Sequence, residues 1–433
     1  MLLIQLLQNR LLSNSIYTGI ALFFIGIVPF VFNILVARYF GKELLGDINI
    51  SLSFCLIITL FTTNFFGTNS NKFLSEFRGR NQLENFNIVF TTSIFGPLLV
   101  NTLVLLSLYF FWDVISTKFS LNKDFLVPMM YYIFGRTYYI VIRKIFYGTN
   151  LIVNYTFIEI LTDIIILFGI FFVCQLGNPK FLIFSFTLGY SFFVFIGLII
   201  LFFRYKSITK HLRPNKNYNR KIVLRKYFKY GLITMIGNVS SAGTSYISML
   251  FIGFYLSNSE AGIYSSVIAI ISIVMFIPRL LSQVLLPEIS NLYGAGEKKL
   301  LRKTILTSSL FLLLVGIIIL LPFFIFSGKI LSLFGNSFIN GSAILRIMIP
   351  AIFIRIISVP IVTFLYATKY VIYPNIGGIM ILFSSVVAWM VLTPIYKLNG
   401  IAFGYLIGVI IGIGYQMITG LIIFKSFSKN ISD

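Results

Sequence analysis

Charge is what this sequence has little of. Only 11% of its 433 residues are charged, and just 12 are acidic, against roughly a quarter charged in an ordinary soluble domain. So few ionic groups cannot clothe a chain of this length in water, which excludes a water-soluble enzyme. There is one histidine, His211, and there are two cysteines, Cys55 and Cys174, far apart and inside apolar stretches. That inventory supports neither a disulfide framework, nor a zinc site, nor a Ser-His or Cys-His catalytic arrangement in the apolar segments. Around Arg10, Ser13, Asn14 and Ser15 no small-residue cleavage site follows a short apolar core, so the N-terminus reads as uncleaved.

Apolar length is what the chain does have. Hydrophobic residues make up 58% and the mean hydropathy is +0.96. Apolar stretches of about 20 residues or more recur, the length of a membrane-spanning helix. They lie near 15–37, 47–68, 86–111, 124–148, 151–175, 181–203, 228–256, 261–286, 304–327, 341–367, 370–394 and 400–424. The expected fold is an all-α integral membrane protein of about twelve transmembrane helices.

The formal net charge is +22, from 34 basic residues. Ten of these fall between Arg204 and Lys229, Lys216 among them. A basic run between two apolar spans reads as a cytoplasmic loop that meets anionic lipid; lacking a fold of its own, it does not read as a nucleic-acid binder. With the N-terminus inside, the inner segments hold about 23 basic residues, Arg10, Lys425 and Lys429 included, and the outer loops about 7. That bias predicts both termini in the cytoplasm. Every outer loop is short, which argues against a membrane glycosyltransferase or polymerase.

The two halves resemble each other at an offset of about 216 residues. Tyr39 and Gly46 in YFGKELLG match Tyr255 and Gly262 in YLSNSEAG; Leu74–Gly79 (LSEFRG) matches Ile289–Gly294 (ISNLYG). IFGR, ending at Arg136, then FYGT, match IFIR, ending at Arg355, then LYAT. Six spans per half make the repeat parallel, an architecture common among transporters. The expected domains are a six-helix lobe over 1–203, a basic connector over 204–229 and a second six-helix lobe over 230–433.

YFGKELLGDINISLSF, GTNSNKFLSEFRGRN, GFYLSNSEAGIYSSVIAI with RLLSQVLLPEISNLYGAGE, and LFGNSFINGSAILRIMIP together resemble the polysaccharide and O-antigen flippases. These belong to the multidrug/oligosaccharidyl-lipid/polysaccharide exporter superfamily. The resemblance implies two pseudo-symmetric six-helix bundles and alternating access of a cationic central cavity. It also implies transport without enzymatic chemistry or cofactor, and a cargo of oligosaccharide on polyprenyl diphosphate, moved to the outer leaflet for O-antigen or capsule. A bacterial inner membrane, with a polysaccharide polymerase and chain-length machinery as partners, goes with it. One departure stands out. Members often carry an Asp about five residues before the glycine that matches Gly253, and here that position is Ser248.

Charges within the spans cost about 2.5–3.5 kcal/mol each on insertion scales and so mark interiors or wet cavities. Arg136 and Arg355 each lie about 12 residues from the inner end of their span, roughly 18 Å deep at 1.5 Å per residue. A guanidinium matches a diphosphate because its planar fork binds two oxygens and keeps its charge. Both are therefore candidate substrate ligands. Glu159 and Asp163 share a helix face at i, i+4, and two readings of them stand: a structural Arg136–Asp163 pair, or a coupling site for H⁺ or Na⁺. Arg346, nearer the outer end, could guide the leaving head group. Arg143 and Lys144 could meet anionic substrate at the cytoplasmic mouth, although positive-inside bias also accounts for them. Arg279 and Glu288 read as capping or bridging residues, and Asn33 and Asn64 as packing residues. Two alternatives remain open: a peptidoglycan-precursor lipid flippase, and a multidrug or cation antiporter, which would want an acidic cavity.

Overall fold

The structure is a computed structural model that describes residues 2–214 and 219–429. The side chains of residues 2–16, 233, 236–238, 241–242 and 426–429 lie outside that description. Lys216 and the side chains of Arg10, Ser13, Asn14, Ser15 and Lys429 therefore lie outside it too.

The chain is helical almost throughout. In order run α1 (Leu2–Gly79), α2 (Leu83–Phe110), a short α3 (Trp112–Lys118), α4 (Leu126–Thr149), α5 (Ile152–Leu176), α6 (Leu182–Thr209) and α7 (Arg220–Tyr255). Then come α8 (Asn258–Val274), α9 (Phe276–Gly294), α10 (Lys298–Ile325), a short α11 (Ser327–Leu331), α12 (Ser342–Ala367), α13 (Ile372–Tyr396) and α14 (Leu398–Lys429). Among the described residues, ten helical stretches are long and apolar enough to cross a membrane. One of them, Tyr17–Gly79, has 63 residues, roughly 95 Å of helix against a hydrocarbon core of about 30 Å. It holds the first two expected spans, and the break between them is Gly41, at φ 83° and ψ −178°, a backbone shape that side chains with a Cβ disfavour. With α7, part of whose side chains lie outside the description, the expected twelve crossings are all accounted for.

The chain divides into two compact units, Met1–Leu35 with Ile50–Val239, and Val36–Asn49 with Ser240–Asp433. Residues 36–49 group with the second unit rather than with 1–203, and the expected boundaries at 203 and 230 fall inside helices. α6 runs on to Thr209 and α7 starts at Arg220, so much of the expected 204–229 connector is helix; Arg and Lys are good helix formers and continue an apolar helix beyond its last hydrophobic turn. The first unit also keeps the opening turns of α7. Asn69 Nδ2 donates to the Tyr227 carbonyl at 2.8 Å, and the buried Tyr227 hydroxyl lies 3.1 Å from Ser93 Oγ and donates to the Phe66 carbonyl at 3.2 Å.

Within the second unit, small residues let helices approach closely, as membrane packing requires. Gly400, Gly404, Gly408 and Gly412 form a stripe at four-residue spacing on α14. A Cβ on any of them would meet α13: at the Leu392 carbonyl, the Trp389 ring, the Ser385 hydroxyl and Ile381 in turn. The repeat-related pair Gly46 and Gly262 belongs to the same unit. A Cβ on Gly46 would fall on the Asn258 carbonyl, and one on Gly262 on the Lys42 carbonyl. The capping box of Ser257 and Glu260 starts α8 at this contact.

Candidate functional site

In the first unit α4 carries Arg136 and Arg143 two turns apart on one face, interleaved with Tyr132 and Tyr139. α5 and α6 pack beside it. Arg136 Nη1 donates to the Tyr190 hydroxyl of α6 at 2.7 Å, and its guanidinium lies 5.9 Å from the Tyr132 ring and 5.6 Å from that of Tyr190. Tyr190 stacks on Tyr139 at 4.6 Å. The Tyr139 hydroxyl donates to Glu159 Oε1 and receives a bond from Arg143 Nη1 at 3.3 Å. Arg143 also lies 5.7 Å from the Tyr155 ring. Glu159 is wholly buried and Asp163 is 5% exposed.

Glu159 and Arg143 bear electrostatically on Asp163, and both Arg143 and Arg136 bear on Glu159. Arg143 is thus bound into the interior of this unit by tyrosines and carboxylates. Glu159 Oε2, Thr162 Oγ1 and Asp163 Oδ2 are buried without a hydrogen-bond partner among the described residues. Three oxygens of that kind on one helix face are the acceptors that a proton, a water or a small cation would satisfy.

The second unit repeats half of this arrangement. Arg355 Nη1 of α12 donates to the Tyr405 hydroxyl of α14 at 2.7 Å, the same atoms at the same distance as in Arg136–Tyr190. Arg355 lines a cavity of about 200 Å³ with Ser282, Ser358, Thr363, Tyr366 and Gln416. Among the described residues no carboxylate lines it, and a second guanidinium, Arg279, interacts electrostatically with Arg355. Chemically this is a cationic chamber whose lining mixes hydroxyl groups with apolar side chains such as Val359, Val362 and Ile413.

The family described as polysaccharide biosynthesis protein matches residues 11–293. The chain belongs to that family. A second family, MatE, matches residues 234–395. No curated protein matches it in sequence. Among solved structures it is similar to an inward-facing multidrug resistance MATE family transporter of the MOP superfamily, with TM-score 0.79, 14% identity, and coverage of 93% of this chain and 95% of that one. It is also similar to the lipid II flippase MurJ in an inward closed conformation (TM-score 0.68, 19% identity, 97% and 90% covered). A third likeness is a MOP superfamily transporter from Pyrococcus furiosus, described as having a binding pocket of reversed polarity (TM-score 0.69, 13% identity, 96% of both chains). The fold is therefore that of the MOP transporters, as the sequence motifs led one to expect.

The remaining expected residues sit as follows. Arg346 is exposed and donates from Nε to Ser327 Oγ at 2.9 Å and to the Phe324 carbonyl at 3.3 Å, bracing the corner between α10 and α11. Lys144 is half-buried, its stem against Gly67 and its ammonium 5.9 Å from the Tyr147 ring. Asn33 and Asn64 donate to carbonyls of their own helix, Pro29 and Leu60. Glu288 accepts from Thr304 at 3.5 Å. Ser248, where relatives often carry Asp, receives the buried Tyr264 hydroxyl at 3.1 Å. Cys55 and Cys174 are free and buried.

Sequence reasoning passed over the tyrosines. Yet Gly189–Tyr190 and Gly404–Tyr405 stand at an offset of 215 residues, close to the spacing that matches the other repeat motifs. Following the repeat into the sixth span of each half would have paired each arginine with its tyrosine.

Proposed function

We propose that this protein is a flippase that carries oligosaccharide repeat units linked to polyprenyl diphosphate from the cytoplasmic to the outer leaflet of a bacterial inner membrane, for O-antigen or capsule assembly. Both termini are then cytoplasmic, and the lipid-linked product passes to a polymerase. The observation that carries this reading is the repeated Arg–Tyr bond, 2.7 Å in both units. Each tyrosine orients one guanidinium, whose planar fork matches phosphate oxygens. Moving the cargo hides two phosphate charges from hydrocarbon, where an unscreened ion is very costly, while the prenyl tail stays in lipid. The hydroxyl groups of Ser282, Ser358, Thr363 and Tyr366 beside Arg355 suit sugar, and a cationic chamber suits an anionic cargo better than an organic cation. Membership of the polysaccharide biosynthesis family favours the same cargo.

Glu159 and Asp163, with oxygens that lack partners, are the proposed H⁺ or Na⁺ coupling site. Arg346, Arg143 and Lys144 are secondary candidates for guiding the anionic head group. A second reading is a peptidoglycan-precursor flippase, since the same arginine chemistry serves any diphosphate-linked sugar and a lipid II flippase shares the fold. Arg136→Ala and Arg355→Ala should each stop surface polysaccharide while protein level stays normal. Wild-type output from both variants would remove these residues from the substrate site.

A further inference from the structure

One feature of the first unit has no place in the cargo path described above. α2 and α6 both pack on α4, and between them opens an apolar groove of about 610 Å³. Its walls are Phe90 and Ile94 of α2 and Leu198, Leu201 and Phe202 of α6, and Lys206 stands at its rim. Phe202 is 78% exposed, as expected of a side chain that meets acyl chains.

The basic end of the groove is built rather than open. The Tyr205 hydroxyl donates to Asn87 Oδ1 at 2.6 Å, tying α6 to α2, and its ring lies 5.5 Å from that of Phe90. One turn beyond α6 the backbone doubles back. Arg213 N donates to the Asn81 carbonyl at 2.9 Å and Leu83 N to the Arg213 carbonyl at 3.1 Å. These bonds set Arg213 at the start of α2, so that it and Lys206, both exposed, supply the positive charge at this end. Glu84 is the carboxylate at this end. The Lys206 ammonium makes no ion pair among the described residues.

We infer that this groove is a binding site for an anionic glycerophospholipid of the surrounding bilayer, with an acyl chain between α2 and α6 and the phosphate at Lys206. Charge complementarity selects the occupant. An apolar slot capped by cations matches a lipid with a net negative head, whereas a zwitterionic lipid would set its own ammonium against the rim. Basic pockets between transmembrane helices on the cytoplasmic side bind acidic head groups in this way. The site does not depend on the identity of the cargo.

The test uses the purified full chain in detergent and phosphatidylglycerol that carries a photoreactive diazirine in its acyl chain, with the matching phosphatidylcholine probe. Adducts from phosphatidylglycerol should map to the peptides around Phe90–Ile94 and Leu198–Lys206. One basic side chain near an anionic surface is worth about a fivefold preference, so Lys206→Glu should lower that labelling at least about fivefold. Lys206→Arg should keep it, and Leu198→Trp, which fills the slot, should abolish it. Unchanged labelling of α10 and α13 in each variant reports an intact fold. Equal labelling by phosphatidylcholine, or no effect of Lys206→Glu, would overturn the inference. Displacement of the probe by polyprenyl diphosphate alone would overturn it as well, because it would assign the groove to the cargo's tail.

Discussion

Replacing the two tyrosines by phenylalanine separates the orienting bond from the charge it orients. Tyr405→Phe removes the hydroxyl that holds Arg355 at 2.7 Å but keeps the ring and the guanidinium. A hydrogen bond to a charged group contributes about 1.5–3 kcal/mol. The cavity of about 200 Å³ beside Arg355 has room for water to take the vacated place, so the loss should lie near the lower bound. About 1.5 kcal/mol corresponds to roughly tenfold weaker diphosphate binding. Tyr190→Phe should cost less. Arg136 also lies over the faces of Tyr132 and Tyr190, and the second of these survives the substitution as a phenyl ring, so cation–π attraction of about 0.5–2 kcal/mol still positions it. A decrease of about threefold or less is expected. Translocation of a fluorescent lipid-diphosphate oligosaccharide in vesicles, measured across a range of cargo concentration, reads both numbers. The reasoning fails if Tyr190→Phe proves the more damaging change, or if both variants match wild type while the arginine-to-alanine variants are dead.

Further outcomes follow from contacts elsewhere. Gly46→Ala and Gly262→Ala each drive a methyl group into a backbone carbonyl of the facing helix; each should destabilise by about 1–3 kcal/mol or more, lowering the thermal unfolding midpoint in detergent, and the double variant should cost less than the sum because the two share one contact. Glu159→Gln keeps the acceptor for the Tyr139 hydroxyl and removes the charge, so thermal stability should hold while dependence of transport on a pH or sodium gradient disappears; unchanged gradient dependence would place coupling elsewhere. Tyr227→Phe removes a buried hydroxyl bonded near Ser93 and Phe66 and should cost about 1 kcal/mol, seen as a small drop in unfolding temperature without loss of transport.

Much of this fold can be read from composition and periodicity, because lipid leaves a chain few choices beyond the apolar helix. The twelve crossings, the parallel repeat and the matched arginines all follow from runs and spacings visible in the residues. What escaped reading depends on side chains that meet across helices. Arg143 can be read as a basic residue near a span end, but its neighbours Tyr139, Tyr155 and Glu159 appear only once the helices pack. The two tyrosine partners were hidden among 24 tyrosines, and only the repeat offset distinguishes them. The glycine stripe on α14 was legible as a four-residue period but names no partner until α13 lies against it. The allegiance of residues 36–49 to the second unit is a tertiary fact with no local mark beyond the break at Gly41.

The proposed function requires Arg136 and Arg355 to carry a lipid diphosphate across the bilayer. Purified protein in vesicles of defined lipid, given a fluorescent oligosaccharide on polyprenyl diphosphate and the same sugar on a neutral polyprenyl ether, tests it most directly. Chemical quenching from outside reads translocation of each. The account predicts movement of the diphosphate cargo only, abolished in the Arg136→Ala, Arg355→Ala double variant. Equal movement of the neutral ether, or full movement by the double variant, would contradict it.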